Sequence, residues 1–346
     1  MRVLTLLGLS VVFALQLGIA GPRAAGCDAI GNVQFVCGQV SPEDLANVPG
    51  SEWVLASGNA ANGAIRLISV RDRTTTILFP TAAPKERLDS KTYDSCPGPI
   101  DPAEKEKFSA HGLYLRPGKN SLHTLYVVHH GNRESVEVFE FDGRAKPPTL
   151  TWVGCAVAPE KVSLNAVVGL PDGGFAATNI QTRGIERSKL MSGEVTGELW
   201  EWHTGAGWKT VPGSETSGPN GLEISKDGKW FYIGGWGSQS FIRLSRGQTP
   251  VKKDAVPVGF HLDNLRWAPD GSLFAAGQGG TANAGTSNVS KVNPSTLKVQ
   301  EIIRYPYNDV FTVGTVAIQV GKEIWVGSVR GDRIARFPAT QSPQSQ

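Results

Sequence analysis

The sequence predicts an all-β protein: one ring of six four-stranded antiparallel blades around a central channel, a six-bladed β-propeller. Composition, a repeated strand phrase and a recurring turn dipeptide carry that prediction. Only 19% of the 346 residues are charged, and 41 Gly and 22 Pro are scattered through apolar sequence. No stretch has the Ala/Glu/Lys/Leu/Arg richness of helical proteins, and neither collagen nor a disordered chain has this pattern. The length exceeds one small domain, which leaves either two domains or one large closed architecture.

The repeat decides between them. A strand of bulky residues ending in small ones occurs at Glu52-Trp53-Val54-Leu55-Ala56-Ser57-Gly58, Leu125-Tyr126-Val127-Val128-His129-His130-Gly131 and Gly174-Phe175-Ala176-Ala177-Thr178. It returns at Trp230-Phe231-Tyr232-Ile233-Gly234, Leu273-Phe274-Ala275-Ala276-Gly277 and Ile324-Trp325-Val326-Gly327-Ser328. With Trp53, Tyr126, Phe175, Phe231, Phe274 and Trp325 as marks, the intervals are 73, 49, 56, 43 and 51 residues. A period of about 40 to 50 residues, with about four strands per unit, is that of a propeller. Six marks imply six blades.

Asp172-Gly173, Asp227-Gly228 and Asp270-Gly271 precede three of the marks. They are expected as tight hairpin turns with positive φ at both residues. The other ligand positions of a calcium loop are missing around them. Between marks, Ser135-Val136-Glu137-Val138-Phe139-Glu140-Phe141 alternates apolar and polar residues as a half-buried strand does. The ring is expected over residues 41–337, with 27–40 as an N-terminal extension and 338–346 as a flexible tail. The oversized first interval leaves room for a proline-rich loop, 80–107, expected over one mouth of the channel.

Residues 1–20 carry an early Arg2 and then a run of about 18 apolar residues, followed by small residues that suit cleavage near Ala20 or as late as Ala25. This reads as a secretory signal peptide. A retained anchor is the alternative, and nothing later in the chain is apolar enough to span a bilayer. Ala24-Ala25-Gly26-Cys27 also resembles a lipoprotein box, but lipidation of Cys27 would leave three thiols in an oxidising compartment. Four cysteines, Cys27, Cys37, Cys96 and Cys155, suggest two disulfides in a secreted or periplasmic protein. Three pairings are open; Cys27–Cys37 with Cys96–Cys155 is favoured because the first pair closes a short loop. No CxxC pair points to zinc. The 34 basic and 31 acidic residues, net +3, are interleaved without a stripe or tail, which excludes a nucleic-acid binder.

The first strand of each blade lines the channel, so polar residues one hairpin before each mark should converge there. They are Glu43-Asp44-Leu45, His111-Gly112-Leu113, Leu164-Asn165-Ala166, Asn220-Gly221-Leu222 and Asp263-Asn264-Leu265. Glu43 and Asp263 with Asn165, Asn220 and Asn264 are all oxygen donors, which suits Ca²⁺. Any single Asn here could equally bond backbone amides in a turn, but five in register across blades favour a metal site. Of the histidines, His111 opens an inner strand, and only one of His129 and His130 can face the channel because neighbours on a strand point apart. His123 and His203 are expected to make structural hydrogen bonds only.

Residues 107–141, reading Phe-Ser-Ala-His-Gly-Leu-Tyr-Leu-Arg, then Leu-Tyr-Val-Val-His-His-Gly and Glu-Ser-Val-Glu-Val-Phe-Glu-Phe, resemble the paraoxonase/arylesterase family. Segments 163–168, 219–233, 262–276 and 314–333 resemble it too. The wider group is the gluconolactonase and senescence-marker-protein superfamily, and the likeness runs from about residue 40 to 337. The resemblance implies a catalytic calcium on Glu43, Asn165, Asn220, Asp263 and Asn264, a histidine dyad of His111 and His130, and hydrolysis of lactones or aryl esters. For the family's second, structural calcium, Asp44 and the Leu113 carbonyl remain, but Ala166 stands where the family has an aspartate. His129 replaces the usual Asn before the second dyad histidine. With no cysteine after Cys155, the ring must close by strand pairing alone. The pocket-shaping positions near Asn59-Ala60-Ala61 and Gly218-Pro219 differ as well, so the family's substrate does not carry over.

The expectation is an exported calcium-dependent hydrolase of lactones or esters. The cation polarises the carbonyl, and His111, assisted by His130, activates water. Water as nucleophile needs no Ser or Cys, and no GxSxG is present. The alternatives are a gluconolactonase-type enzyme that uses the metal without the dyad, and a non-catalytic propeller binding a ligand or protein.

Overall fold

A computed structural model of the chain describes residues 26–281 and 284–339. The signal peptide read at 1–20 and residues 340–346 of the tail read at 338–346 lie outside the described residues, while Pro338 ends a strand and Ala339 N–H donates to the Lys322 carbonyl. Six antiparallel sheets follow one another around a ring. The first blade is Leu45–Asn47, Trp53–Ala56, Ile65–Ser69 and Thr75–Phe79. The second is Ser109–Arg116, Leu122–His130, Ser135–Asp142 and Thr149–Val157, and the third Leu164–Gly169, Phe175–Asn179, Leu199–His203 and Gly207–Thr210. Pro219–Ile224, Trp230–Gly235, Ser240–Ser245 and Lys253–Pro257 form the fourth. His261–Trp267, Leu273–Thr281, Ala284–Val292 and Val299–Pro306 form the fifth.

The sixth blade is built from both ends of the chain. Gly314–Val320, Glu323–Ser328 and Arg333–Pro338 are its inner three strands, and Gln34–Cys37 pairs with Arg333–Pro338 as the outermost. Ring closure is therefore by strand pairing, and the extension 27–40 supplies the closing strand. The Cys27–Cys37 disulfide braces that strand, and Cys96–Cys155 is the second bridge.

Each blade is apolar on both faces, so the core is divided into six clusters, one between each neighbouring pair of blades. This is the reason for the repeat. Tyr126 and Phe175 enter the cluster between blades two and three, Phe231 that between three and four. Phe274 and Trp325 enter those between blades five and six and between six and one.

Two local expectations are corrected. In the Asp-Gly turns only the glycine has positive φ: Gly173 at 97°, Gly228 at 71° and Gly271 at 82°. The glycine N–H donates to the carbonyl three residues back, on Leu170, Ser225 and Ala268. Asp is thus the third residue of an ordinary turn, and glycine takes the left-handed position after it. Pro171 and Pro269, preset for the second position of such a turn, favour this form.

The loop at 80–107 does not lie over the channel. Lys85–Glu86 adds a short parallel strand to the outer edge of the second blade, against Thr149–Val157. Arg87 and Asp89 N–H donate to the carbonyls of Trp152 and Val153. Tyr93 then packs on Gly154 and stacks on Trp202 with ring centroids 5.4 Å apart. Backbone pairing and the Cys96–Cys155 bridge hold the segment to the periphery. The segment returns to the rim at Gly98, whose carbonyl accepts from Arg133 in the hairpin after His130, and at the 3₁₀ turn Pro102–Lys107, where the Glu106 carbonyl accepts from Asn62 N–H.

Candidate metal and catalytic site

The first strands of blades two to six share one irregularity. Pairing with the second strand skips between Ala110 and Leu113, Leu164 and Val167, Pro219 and Leu222, Leu262 and Leu265, and Gly314 and Ala317. Each is a three-against-two step, a β-bulge that frees one residue from the ladder and re-aims its side chain. The freed residues include His111, Asn165, Asn220, Asp263 with Asn264, and Thr315. Blade one makes the same step in its backbone bonds, with Asn59 N–H donating to Ser41 and Ser57 N–H to Asp44, around Glu43. Amides at the bulges find nearby hydroxyls: Asp44 N–H donates to Ser57 Oγ, Ala166 N–H to Thr178 Oγ1 and Gly314 N–H to Ser287 Oγ of the neighbouring blade.

These bulges touch in sequence around the channel. Leu113 N–H donates to Asp44 Oδ2 at 2.8 Å. A Cβ on Gly112 would meet the Asn165 carbonyl at 2.3 Å, and one on Gly221 the Asp263 carbonyl at 2.3 Å, so glycine lets the strands approach. Thr178 Oγ1 bridges from Ala166 to the Asn220 carbonyl, and Thr315 Oγ1 donates to the Glu43 carbonyl at 2.6 Å. Asn264 Nδ2 donates to Glu43 Oε1 at 2.5 Å, which closes the circle.

Glu43, Asn165, Asn220, Asp263 and Asn264 are all buried there. Ten buried side-chain N or O atoms among the described residues have no hydrogen-bond partner, and four belong to this set: Glu43 Oε2, Asn165 Oδ1, Asn220 Oδ1 and Asn264 Oδ1. Buried oxygens without donors cost free energy unless something else satisfies them. A hard cation does so, and a mixed carboxylate and amide set suits calcium. No group of three or more His, Cys, Asp and Glu side chains among the described residues could hold a metal; here two carboxylates depend on amides to complete a shell. Burial, with the charges of Asp263 and Asp44, holds the Glu43 carboxyl well above its usual range. Burial pushes Asp263 up to about 7 against hydrogen bonds from Gln278 and Asn220. Neither carboxylate is ion-paired with a Lys or Arg side chain, and the Arg266 charge only partly offsets the burial of Glu43.

His111 stands beside this set, its Nε2 3.8 Å from Glu43 Oε1. Its Nδ1 lies 2.8 Å from His130 Nε2, and His130 Nδ1 lies 3.1 Å from Glu134 Oε2. A carboxylate only accepts, so His130 donates from Nδ1 and accepts at Nε2; His111 then donates from Nδ1 and keeps a lone pair on Nε2. Burial, then the neighbouring His130, holds His111 well below the usual imidazole range, so that lone pair is available near neutral pH. His129 points the other way, stacked on Phe108 and bonded to Asn132, as strand alternation requires. His123 Nδ1 accepts from Gly118 N–H, and His203 pairs with Glu201.

Four residues here escaped the sequence reading. Glu134 holds His130; Gln278 donates to Asp263 Oδ2 at 2.6 Å and is itself held by Trp236 Nε1 at 2.9 Å. Thr315 occupies the sixth bulge, and the register of the other five would have found it. Arg266 is the fourth: Asp44 and the Leu113 carbonyl, which remain from the family's second calcium site, both accept from its guanidinium.

No protein-family model and no curated protein matches the chain. Solved structures do match. A luciferin-regenerating enzyme superposes with a TM-score of 0.55 at 12% identity, covering 88% of this chain and 94% of its own. The virginiamycin B lyase of Staphylococcus aureus gives 0.50 at 12% identity, covering 88% and 98%. At such identities the likeness shows the propeller fold alone.

Proposed function

We propose that this protein is an exported, calcium-dependent hydrolase of lactones or of aryl or alkyl esters, resembling the paraoxonase/arylesterase family in its site. The observation that carries the reading is a buried carboxylate and amide set with four partnerless oxygens, beside a histidine whose Nε2 lies 3.8 Å from the other oxygen of Glu43. Glu43, Asn165, Asn220, Asp263 and Asn264 would hold the ion. Calcium, when bound, supplies polarisation of the ester carbonyl and compensates the negative charge that develops on its oxygen.

The chain's own residues do the rest. His111 Nε2 takes a proton from water, and the positive charge that forms on the ring is stabilised through His130 by Glu134. Gln278 and Thr315 fix Asp263 and the Glu43 backbone, so the donor set is held in place beforehand. The two disulfides support an exported, oxidising setting. Among the described residues no helix is long and apolar enough to cross a membrane.

The deciding experiment is turnover of a panel of lactones and aryl esters by the purified protein, before chelation, after it, and after calcium is restored. Calcium-dependent hydrolysis of at least one class is expected, with a loss of about 100-fold or more in His111→Gln. Full activity in His111→Gln would leave a metal-only mechanism. No turnover across the panel with calcium present would favour a ligand-binding propeller.

A further inference from the structure

The hub of the ring contains a second polar knot, separate from the four partnerless oxygens beside His111. Arg266 lies on the inner strand of blade five, three residues after Asp263, and is buried. Its Nη2 donates to Asp44 Oδ2 and, at 2.7 Å, to the Leu113 carbonyl. Nε donates to the Leu45 carbonyl at 3.0 Å and Nη1 to the Leu265 carbonyl at 2.7 Å. Glu223 Oε1 lies 3.7 Å from Nη1. Two carboxylates and three carbonyls, from blades one, two, four and five, thus converge on one guanidinium.

That donor set is one a divalent cation could also use: all oxygen, two negative charges, drawn from separate strands. A guanidinium meets the same need with fixed geometry, and it cannot be removed by a chelator. Burial opposes its charge, yet Asp44, Glu223 and Glu43 outweigh burial and hold it above its usual range.

We infer that Arg266 is a tethered cation standing in place of a second metal ion at the hub, so the channel holds at most one divalent cation. The ring keeps one permanent positive charge at its centre, independent of calcium supply. Asp44, fixed by Arg266, in turn sets the backbone next to Glu43. Arg266 therefore acts as a positioning residue for the calcium-facing oxygens without touching them.

Metal stoichiometry tests this without any turnover assay. Equilibrium dialysis of the full chain against calcium should saturate at no more than one ion per wild-type molecule. Two ions per wild-type molecule would overturn the inference. A wild-type count of zero would remove the proposed catalytic ion and leave this inference standing, so the two fail separately. In Arg266→Met, which leaves Asp44, Glu223 and three carbonyls without their cation, one additional ion should bind. Its melting temperature should then rise in calcium by about twice as many degrees as that of the wild type, because two sites fill rather than one. An equal rise and an unchanged count in Arg266→Met would also overturn the inference. If that variant does not fold, the wild-type count decides alone.

Discussion

Glu134 Oε2 lies 3.1 Å from Nδ1 of His130, and this contact determines which nitrogen of His111 is basic. Glu134 is well held: its Oε1 accepts from Leu164 N–H at 2.7 Å, and Arg183 donates to Oε2 at 3.2 Å. The carboxylate is therefore a positioning residue for the dyad. An amide at this position can donate to His130 as well as accept, which allows the wrong tautomer and removes the charge that stabilises imidazolium. Glu134→Gln should lower kcat by about 10- to 100-fold, within the range of general-base effects. KM should hardly change, because Glu134 does not reach substrate. Glu134→Asp should recover part of the loss. A fall confined to KM, or the same fall in both variants, would mark a purely structural role.

The carboxylates of the donor set make stability depend on pH when no cation is bound. Burial pushes Asp263 up to about 7 and raises Glu43 well above its usual range; in an unfolded chain both titrate near about 4. A carboxyl whose folded value is raised contributes stability that is fully present below the unfolded value and lost as pH rises toward the folded one. The chelated protein should therefore lose melting temperature between about pH 4 and about pH 7. Calcium restores it, with an increment that grows over the same interval, reaching about 2.7 kcal/mol at a hundredfold excess over Kd. Melting curves with chelator and with calcium, across that pH range, check this. A chelated protein whose stability is flat in pH would contradict the raised values of this buried pair.

The fold and the convergence of the inner-strand polar residues were legible because both follow a repeat. Each blade must place an aromatic residue in an inter-blade core, which leaves marks such as Phe231 and Phe274 once per blade. Each inner strand bulges at the same point, so Asn165, Asn220 and Asp263 fall in the same sequence slot. Glu134, Gln278 and Arg266 obey no such rule. Glu134 sits on a hairpin, Gln278 on a second strand and Arg266 beyond a bulge, and each matters through one partner that sequence does not pair with it. The 80–107 segment was misplaced for a related reason. Prolines mark it as irregular, but its course follows from edge pairing with Thr149–Val157, a contact between residues far apart in the chain.

Close approach of the inner strands explains two glycines, Gly112 and Gly221, neither of which has positive φ. A Cβ at Gly112 would stand 2.3 Å from the Asn165 carbonyl oxygen and 2.7 Å from Ala166 Cα; at Gly221 the same distances apply to the Asp263 oxygen and Asn264 Cα. These are backbone atoms and cannot swing aside, so an added methyl must push neighbouring blades apart at the donor set itself. Gly112→Ala and Gly221→Ala should each cost about 1–3 kcal/mol, the usual price of overpacking, and should weaken calcium binding. Gly271 supplies the contrast. It has φ of 82° with open space around its missing side chain, on a turn away from the donors. Gly271→Ala should cost about 1 kcal/mol of backbone strain and leave calcium affinity unchanged. Calcium titration alongside thermal unfolding separates the two kinds of glycine. Equal calcium affinity in all three variants would show that the bulge contacts do not set the donor geometry.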